Sequence, residues 1–252
     1  MTIHKTEAII LERRDYRETS FLVRLFSPDF GLLSAQVKGA RRKLDKYGTW
    51  FLPMSHHAVV FYENPHSDLH IISQATMLEP FERISCSLDT LSCASYCLEL
   101  VGVLAPGNEQ SKEIFEMLKI CLKVLNENAT IGCVVQVFET KILALSGFRP
   151  RLDCCVACSQ LVAETARFST VLGGLLCPEC FRRDDNARPL LAGTIASLNH
   201  IEHMPFERVT AFRMVAAVQQ EVERLLRNFI DFHVGHTFRS LEFYQKIRGA
   251  YG

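Results

Sequence analysis

The sequence predicts an α+β multidomain protein, with a five-stranded β-barrel first and an α-helical domain after it. Three observations carry that prediction. Five short segments rich in Ile, Val, Leu and Phe fill the first 80 residues, with no helix-length pattern among them. After Pro80 the apolar residues recur at helical spacing. Inside that helical part lie two Cys-x-x-Cys pairs, Cys155/Cys158 and Cys177/Cys180, with eighteen residues between them.

The predicted strands are 7–12, 19–27, 31–38, 57–62 and 70–77. The breaks between them carry turn chemistry: Arg13–Arg17, Pro28-Asp29-Phe30-Gly31, the basic stretch after Lys38, and Asn64-Pro65-His66-Ser67-Asp68. Five strands in so short a span predict a small Greek-key barrel of the OB type. Strand count alone leaves an SH3-like barrel as the alternative.

Helices follow. Leu88, Leu91, Ser95, Leu98 and Gly102 mark the first, which Pro106-Gly107 should end. Ile114, Met117, Leu118, Cys121 and Leu125 mark the second, and a third should run from about 131 to 145. Beyond Pro189 the pattern predicts a short helix over 194–203 and a long one over 205–233. The long one carries a stripe of Val215, Val218, Val222, Leu225 and Phe229. A last helix over 238–248 should close the chain. The expected division is a barrel domain over residues 1–80 and a helical domain over 81–252. A module built on the two Cys-x-x-Cys pairs is expected as an insertion at about 151–183.

At 252 residues, with 28 basic and 28 acidic side chains, the chain has no net charge to steer partners. Electrostatic function must come from local clustering. The start, Met1-Thr2-Ile3-His4-Lys5-Thr6-Glu7, lacks a signal-peptide layout, and no apolar run approaches the ~20 residues of a membrane span. A cytoplasmic protein without membrane contact is expected. Cys86, Cys93, Cys97, Cys121, Cys133 and Cys154 then read as reduced, small, buried apolar residues.

The paired cysteines fit a structural four-thiolate zinc site, a closed set with no open position for substrate. Four thiolates also suit an iron–sulfur cluster, and Cys154 is a spare neighbour of Cys155. A zinc deaminase would carry His-x-Glu before Pro-Cys-x-x-Cys. Here His200-Ile201-Glu202 follows the cysteines, and Leu176 precedes Cys177. There is no GxxxxGK[ST], GxGxxG, GxSxG or HExxH pattern either, so no enzyme is predicted. Gly173-Gly174 reads as a turn between the zinc half-sites, while His56-His57 and Glu202-His203 read as ordinary residues.

Lys38-Gly39-Ala40-Arg41-Arg42-Lys43-Leu44-Asp45-Lys46 places five cations against one acid in nine positions. In an OB barrel the second and third strands and their loops form the usual nucleic-acid face. Lys38, Arg41, Arg42, Lys43 and Lys46 are therefore candidate phosphate contacts, with Arg13, Arg14 and Arg17 in the first turn near the same face if the barrel is OB-like. Tyr16, Tyr47 and Trp50 offer aromatic surface for unpaired bases.

These residues carry a resemblance. Ala8-Ile9-Ile10-Leu11 with Tyr16-Arg17-Glu18-Thr19-Ser20, and Gly31 to Arg41 with its Lys-Gly-x-Arg turn, resemble the RecO family of bacterial recombination mediators. Gly147-Phe148-Arg149-Pro150, Cys155 to Cys158, Gly173 to Cys177 and Ser240-Leu241-Glu242-Phe243 are similar to later parts of the same family. The resemblance spans essentially the whole chain. It implies an OB-fold domain that binds single- and double-stranded DNA and promotes strand annealing. It also implies partnership with RecR and with the C-terminal tail of single-stranded DNA-binding protein, so that RecA can load. For that tail it implies an apolar groove edged by cations, with Arg208, Arg213, Arg224 and Arg227 as candidates. A zinc-dependent deaminase or nuclease, or a protein–protein scaffold, is the competing function.

Overall fold

The computed structural model describes residues 2–40, 51–105, 111–127, 133–162 and 166–243. Five strands come first: β1 (Ile3–Tyr16), β2 (Ser20–Ser27), β3 (Gly31–Val37), β4 (His56–Tyr62) and β5 (Leu69–Glu79). They close into a barrel in the order β1-β2-β3-β5-β4. Every junction is antiparallel except β3–β5. That parallel junction arises because the chain leaves β3, lays β4 beside β1, and returns with β5 between β4 and β3. The barrel is the OB-type arrangement expected from the sequence.

Alternation explains its interior. Ala8 and Ile10 on β1, Phe21, Val23 and Leu25 on β2, and Ala35 and Val37 on β3 share one buried cluster with Val59, Phe61 and Ile72. A strand with every second residue apolar delivers them all to one face. Burying each larger side chain contributes roughly 1.5–3 kcal/mol.

Two helices pack on the outside. They are α1 (Leu88–Leu104) and α2 (Ser111–Glu127). Phe26 breaks the alternation on β2, since it is buried on the outer face, with its ring centroid 6.3 Å from that of Phe115 on α2. Arg24 donates from Nη2 to the carbonyl of Gly102 on α1 at 2.6 Å. The residues from Phe238 return to this unit. Phe238 meets Tyr96 edge to face at 5.7 Å, and the Glu99 carboxylate accepts the backbone N–H groups of Arg239 and Ser240 at 3.2 and 2.9 Å.

By compactness the chain falls into two units: residues before 132 with those from 238 on, and residues 132–237. The second holds α3 (Val134–Leu145), α4 (Ala192–His203), α5 (Ala216–Val234) and a four-stranded sheet. The sheet order is β6 (Arg151–Cys155), β8 (Gly174–Leu176), β7 (Arg167–Ser169), β9 (Arg188–Pro189). Phe168 on β7 packs against Phe229 on α5 at 6.2 Å, and His233 Nε2 lies 2.7 Å from the Thr170 carbonyl oxygen. No described helix is long and apolar enough to cross a membrane.

Several expected boundaries move. The turn predicted over Arg13–Arg17 shrinks to Arg17–Thr19, because β1 continues to Tyr16 and pairs Arg13 with Val23 and Arg14 with Leu22. The long helix predicted over 205–233 is instead a 3-10 turn over Phe206–Thr210 and a separate α5. Val215, placed on its apolar stripe, sits in extended backbone at the N-cap of α5 and is 71% exposed. Cys86, expected inside, is exposed at the end of a 3-10 turn. The expected stop at Pro106-Gly107 and the last residues of the closing helix lie outside the described residues.

Candidate metal centre and nucleic-acid interface

The zinc-type cysteines converge because of how the small sheet is wired. β6 and β8 are parallel neighbours, so Cys155 at the end of one lies beside Cys177, which follows the other. Each strand then turns tightly. After β6 the turn brings Cys158 back, and Ser159 closes it in the left-handed region at φ 62° with its N–H on the Cys155 carbonyl at 2.8 Å. After β8, Pro178 starts a 3-10 turn that carries Cys180.

The four sulfur atoms all lie within 4.8 Å of one another, and Cys158 Sγ is 3.7 Å from Cys177 Sγ. A tetrahedral ion held by thiolates at about 2.3 Å needs sulfur–sulfur separations of roughly 3.8 Å, so the residues fit a metal. Cys155 belongs to this group and Cys154 does not. Adjacent strand residues face opposite sides, and that separates the two.

Backbone dipoles reinforce the site. Burial alone would raise the Cys155 thiol, but N–H groups of Cys177, Cys158 and Ala157 donate to it and lower it to about 6. Hydrogen bonding with Cys177, then burial, pushes Cys180 up to about 12. A group of thiols this close holds its protons unequally, which is how a metal-ready set behaves before an ion displaces them. The glycines are explained too. Gly173 takes φ 76° in the β7–β8 turn, and a Cβ on Gly174 would stand 2.7 Å from the Arg151 carbonyl oxygen.

The deaminase-like residues go elsewhere. His200 stacks on Phe212 at 5.6 Å, Glu202 pairs with Arg149 at 2.7 Å, and His203 Nδ1 meets the Asn199 carbonyl oxygen at 2.8 Å. Among the described residues the four cysteines are the one His, Cys, Asp or Glu cluster that could hold a metal ion.

The nucleic-acid candidates are brought together by strand register. Tyr16 pairs with Ser20, and Phe21 pairs with Val37. The β1–β2 turn and the end of β3 therefore share one end of the barrel. Arg17, in the turn at φ 52°, and Lys38, just past β3, are both exposed there. Arg14 is exposed on β1, 2.6 Å from Glu12 and beside a shallow cavity with Leu22, Arg24 and Ser34. The guanidinium of Arg13, expected in the first turn with Arg14 and Arg17, lies 4.6 Å above the Phe21 ring. Gly39 takes φ 70° as the chain leaves, a conformation that glycine adopts freely. Arg41, Arg42, Lys43, Lys46, Tyr47 and Trp50 lie outside the described residues.

In the second unit a cavity of about 70 Å³ opens between the small sheet and α5. Phe168, Pro189, Leu190 and Leu225 give it apolar walls, and Arg188 and Arg224 stand at it as cations. Of the four arginines proposed for a groove, Arg224 alone lines it. Arg227 pairs with Glu223 at 3.2 Å, Arg213 donates to the Thr210 and Phe212 carbonyls, and Arg208 is exposed elsewhere. Arg188 was missed, since a two-residue strand containing a proline leaves no periodic signal.

Comparison with known proteins matches nearly the whole chain. The family model described as Recombination protein O N terminal matches residues 1–81, and that described as Recombination protein O C terminal matches residues 86–242. A DNA repair protein RecO from Roseiflexus sp. (strain RS-1) is 32% identical over 247 residues, covering 98% of this chain and 86% of that protein. A DNA repair protein RecO from Desulforudis audaxviator (strain MP104C) is also 32% identical, covering 98% of each chain.

Proposed function

The chain belongs to the RecO family of DNA repair proteins, and on that premise we propose that it is a DNA-binding recombination mediator. It is not an enzyme. Its barrel, residues 1–80, binds single- and double-stranded DNA through Lys38, Arg41, Arg42, Lys43 and Lys46, with Arg14 and Arg17 at the margin.

One observation carries this reading: register brings Arg17 and Lys38 to the barrel end from which the basic segment departs. Cations there neutralise phosphates of either strand. Two complementary strands held against one positive surface repel each other less, which favours annealing. Such contacts read no sequence, as a mediator acting on arbitrary DNA requires.

The protein works with RecR to load RecA onto single strands coated by single-stranded DNA-binding protein, and acts in the cytoplasm. The acidic C-terminal tail of that coat protein is taken by the cavity beside Arg188 and Arg224. Its apolar walls suit an aromatic side chain, and Arg188 and Arg224 suit carboxylates, with Glu221, 3.9 Å from Arg224, as the acid they must outweigh.

Cys155, Cys158, Cys177 and Cys180 hold a structural Zn2+. When bound, the ion supplies cross-linking and folding free energy to a sheet too small to be stable by burial alone. Their complete set of four sulfurs leaves no coordination position for a substrate.

Replacing Lys38, Arg41, Arg42 and Lys43 together by Glu tests the proposal. Fluorescence anisotropy should show binding of single- and double-stranded oligonucleotides weakened at least about tenfold at low salt, with folding intact. Wild-type affinity in that variant removes the basic segment from the DNA interface.

A further inference from the structure

We propose that Arg24 is a further DNA contact of the barrel: seated on the end of α1, its guanidinium meets a phosphate of single-stranded DNA, together with Arg14, at the outer face of β1, β2 and β3. The inference rests on the DNA-binding reading given above and adds to it a residue outside the basic segment.

Register places the parts. Arg24 on β2 pairs with Glu12 on β1 and with Ser34 on β3, and Arg14 pairs with Leu22. Side chains alternate along a strand, so with Val23 and Leu25 in the barrel interior, Leu22 and Arg24 stand on the outer face. A cavity of about 160 Å³ lies there, lined by Glu12, Arg14, Leu22, Arg24 and Ser34.

Charge at the cavity does not cancel. Arg14 donates from Nε to Glu12 Oε1 at 2.6 Å, so those two charges offset each other. Arg24 lies opposite Glu12 across the strands. Among the described residues, however, its polar partner is the Gly102 carbonyl, 2.6 Å from Nη2. A carbonyl removes no charge, and the cavity keeps a net positive one. The contact to Gly102 uses a single donor of a rigid, many-donor fork. The remaining donors suit the oxygens of a phosphodiester, which a guanidinium can take in pairs.

The seat on α1 fixes the direction of that fork. Gly102 lies in the last turn of α1, where carbonyls lack intrahelical partners and the helix dipole is negative. A cation is favoured at such a point. The missing side chain matters as well. A Cβ on Gly102 would stand 3.4 Å from Nη1 and 3.8 Å from Cζ of Arg24, so glycine lets the guanidinium lie close against the helix. Arg24 still remains exposed. An arginine held in this way loses less freedom on meeting a phosphate than an untethered one, and more of the contact appears as affinity.

The experiment uses the full chain carrying Arg24→Gln, Arg24→Lys or Ser34→Glu. Anisotropy reads single-stranded oligonucleotide affinity over a range of salt, and urea unfolding reads stability. Arg24→Gln should weaken binding about fivefold at low salt and lower the slope of log affinity against log salt by about 0.7, the share of one phosphate. Arg24→Lys keeps the charge and should keep the slope. Ser34→Glu leaves Arg24 on Gly102 and sets a carboxylate across from it, so it should reproduce the binding loss with the helix cap intact. Should Arg24→Gln not fold, Ser34→Glu decides. If Arg24 serves α1 alone, Arg24→Gln unfolds at lower urea while affinity and slope stay at wild-type values in it and in Ser34→Glu. That result overturns the inference and leaves the DNA-binding reading standing. A wild-type protein that binds no oligonucleotide at low salt overturns that reading, and the inference with it.

Discussion

His57 Nε2 lies 2.8 Å from Ser55 Oγ, while its Nδ1 is buried without a hydrogen-bond partner. Burial, and then neighbouring His56, holds this imidazole neutral and lowers its pKa to about 4. An unfolded chain restores a value near 6.5, so acid favours unfolding. The contribution of neutral His57 is complete above about pH 6.5 and is lost as pH falls toward about 4. His56, lowered by burial though opposed by Glu7, adds in the same direction. Urea unfolding should therefore lose on the order of 3 kcal/mol across that window, and His57→Phe should flatten the slope. Equal pH dependence in the two proteins would remove His57 as its source.

Cys177→Ser should lower metal content and thermal stability together, because the affinity of a structural metal is folding free energy. The loss should reach several kcal/mol for the unit spanning 132–237 and leave the barrel's unfolding transition in place. Elemental analysis beside differential scanning calorimetry reads both. A melting profile unchanged on metal loss contradicts a structural role. Cobalt substitution should give the spectrum of four thiolates rather than three with water.

Gly174→Ala pushes a methyl group to within 2.7 Å of the Arg151 carbonyl oxygen, where backbone must move. It should cost about 1–3 kcal/mol and weaken metal binding, since Arg151 starts the strand that ends in Cys155. Ser159→Gly should act oppositely, relieving the left-handed φ of 62° and adding about 1 kcal/mol. Chemical denaturation of the metal-loaded protein compares the two.

Arg188→Glu and Arg224→Glu should each weaken binding of an acidic peptide ending in an aromatic residue by about tenfold, the effect of losing one charge-assisted contact. Arg227→Glu, whose partner is Glu223, should have little effect on the same peptide. Isothermal titration reads all three. Equal losses would place the tail elsewhere.

What the sequence made legible was local and periodic. Phe21, Val23 and Leu25 announced β2 by alternation, and the cysteine spacing selected Cys155 over Cys154. Misreadings came where tertiary contacts overrode composition. Arg13 reads as part of a charged turn, yet it is strand, because its guanidinium lies over Phe21 on the adjacent strand. Val215 reads as helix, yet the helix begins after it. Phe51 and Met54 gave no warning of left-handed backbone, since neither Gly nor Asn marks the spot; Met54 is held by its N–H on the Ile10 carbonyl. The pairing of Arg188 with Arg224 was invisible for another reason. A fold, and no sequence spacing, brings a short strand and a helix to one cavity.

The salt dependence of single-stranded DNA binding tests the central claim most directly. Each phosphate contact contributes about 0.7 to the slope of log affinity against log salt. The wild-type slope should exceed that of the variant carrying Glu at Lys38, Arg41, Arg42 and Lys43 by roughly 3. Identical slopes in the two proteins would mean that the basic segment neutralises no phosphates, and would contradict the account.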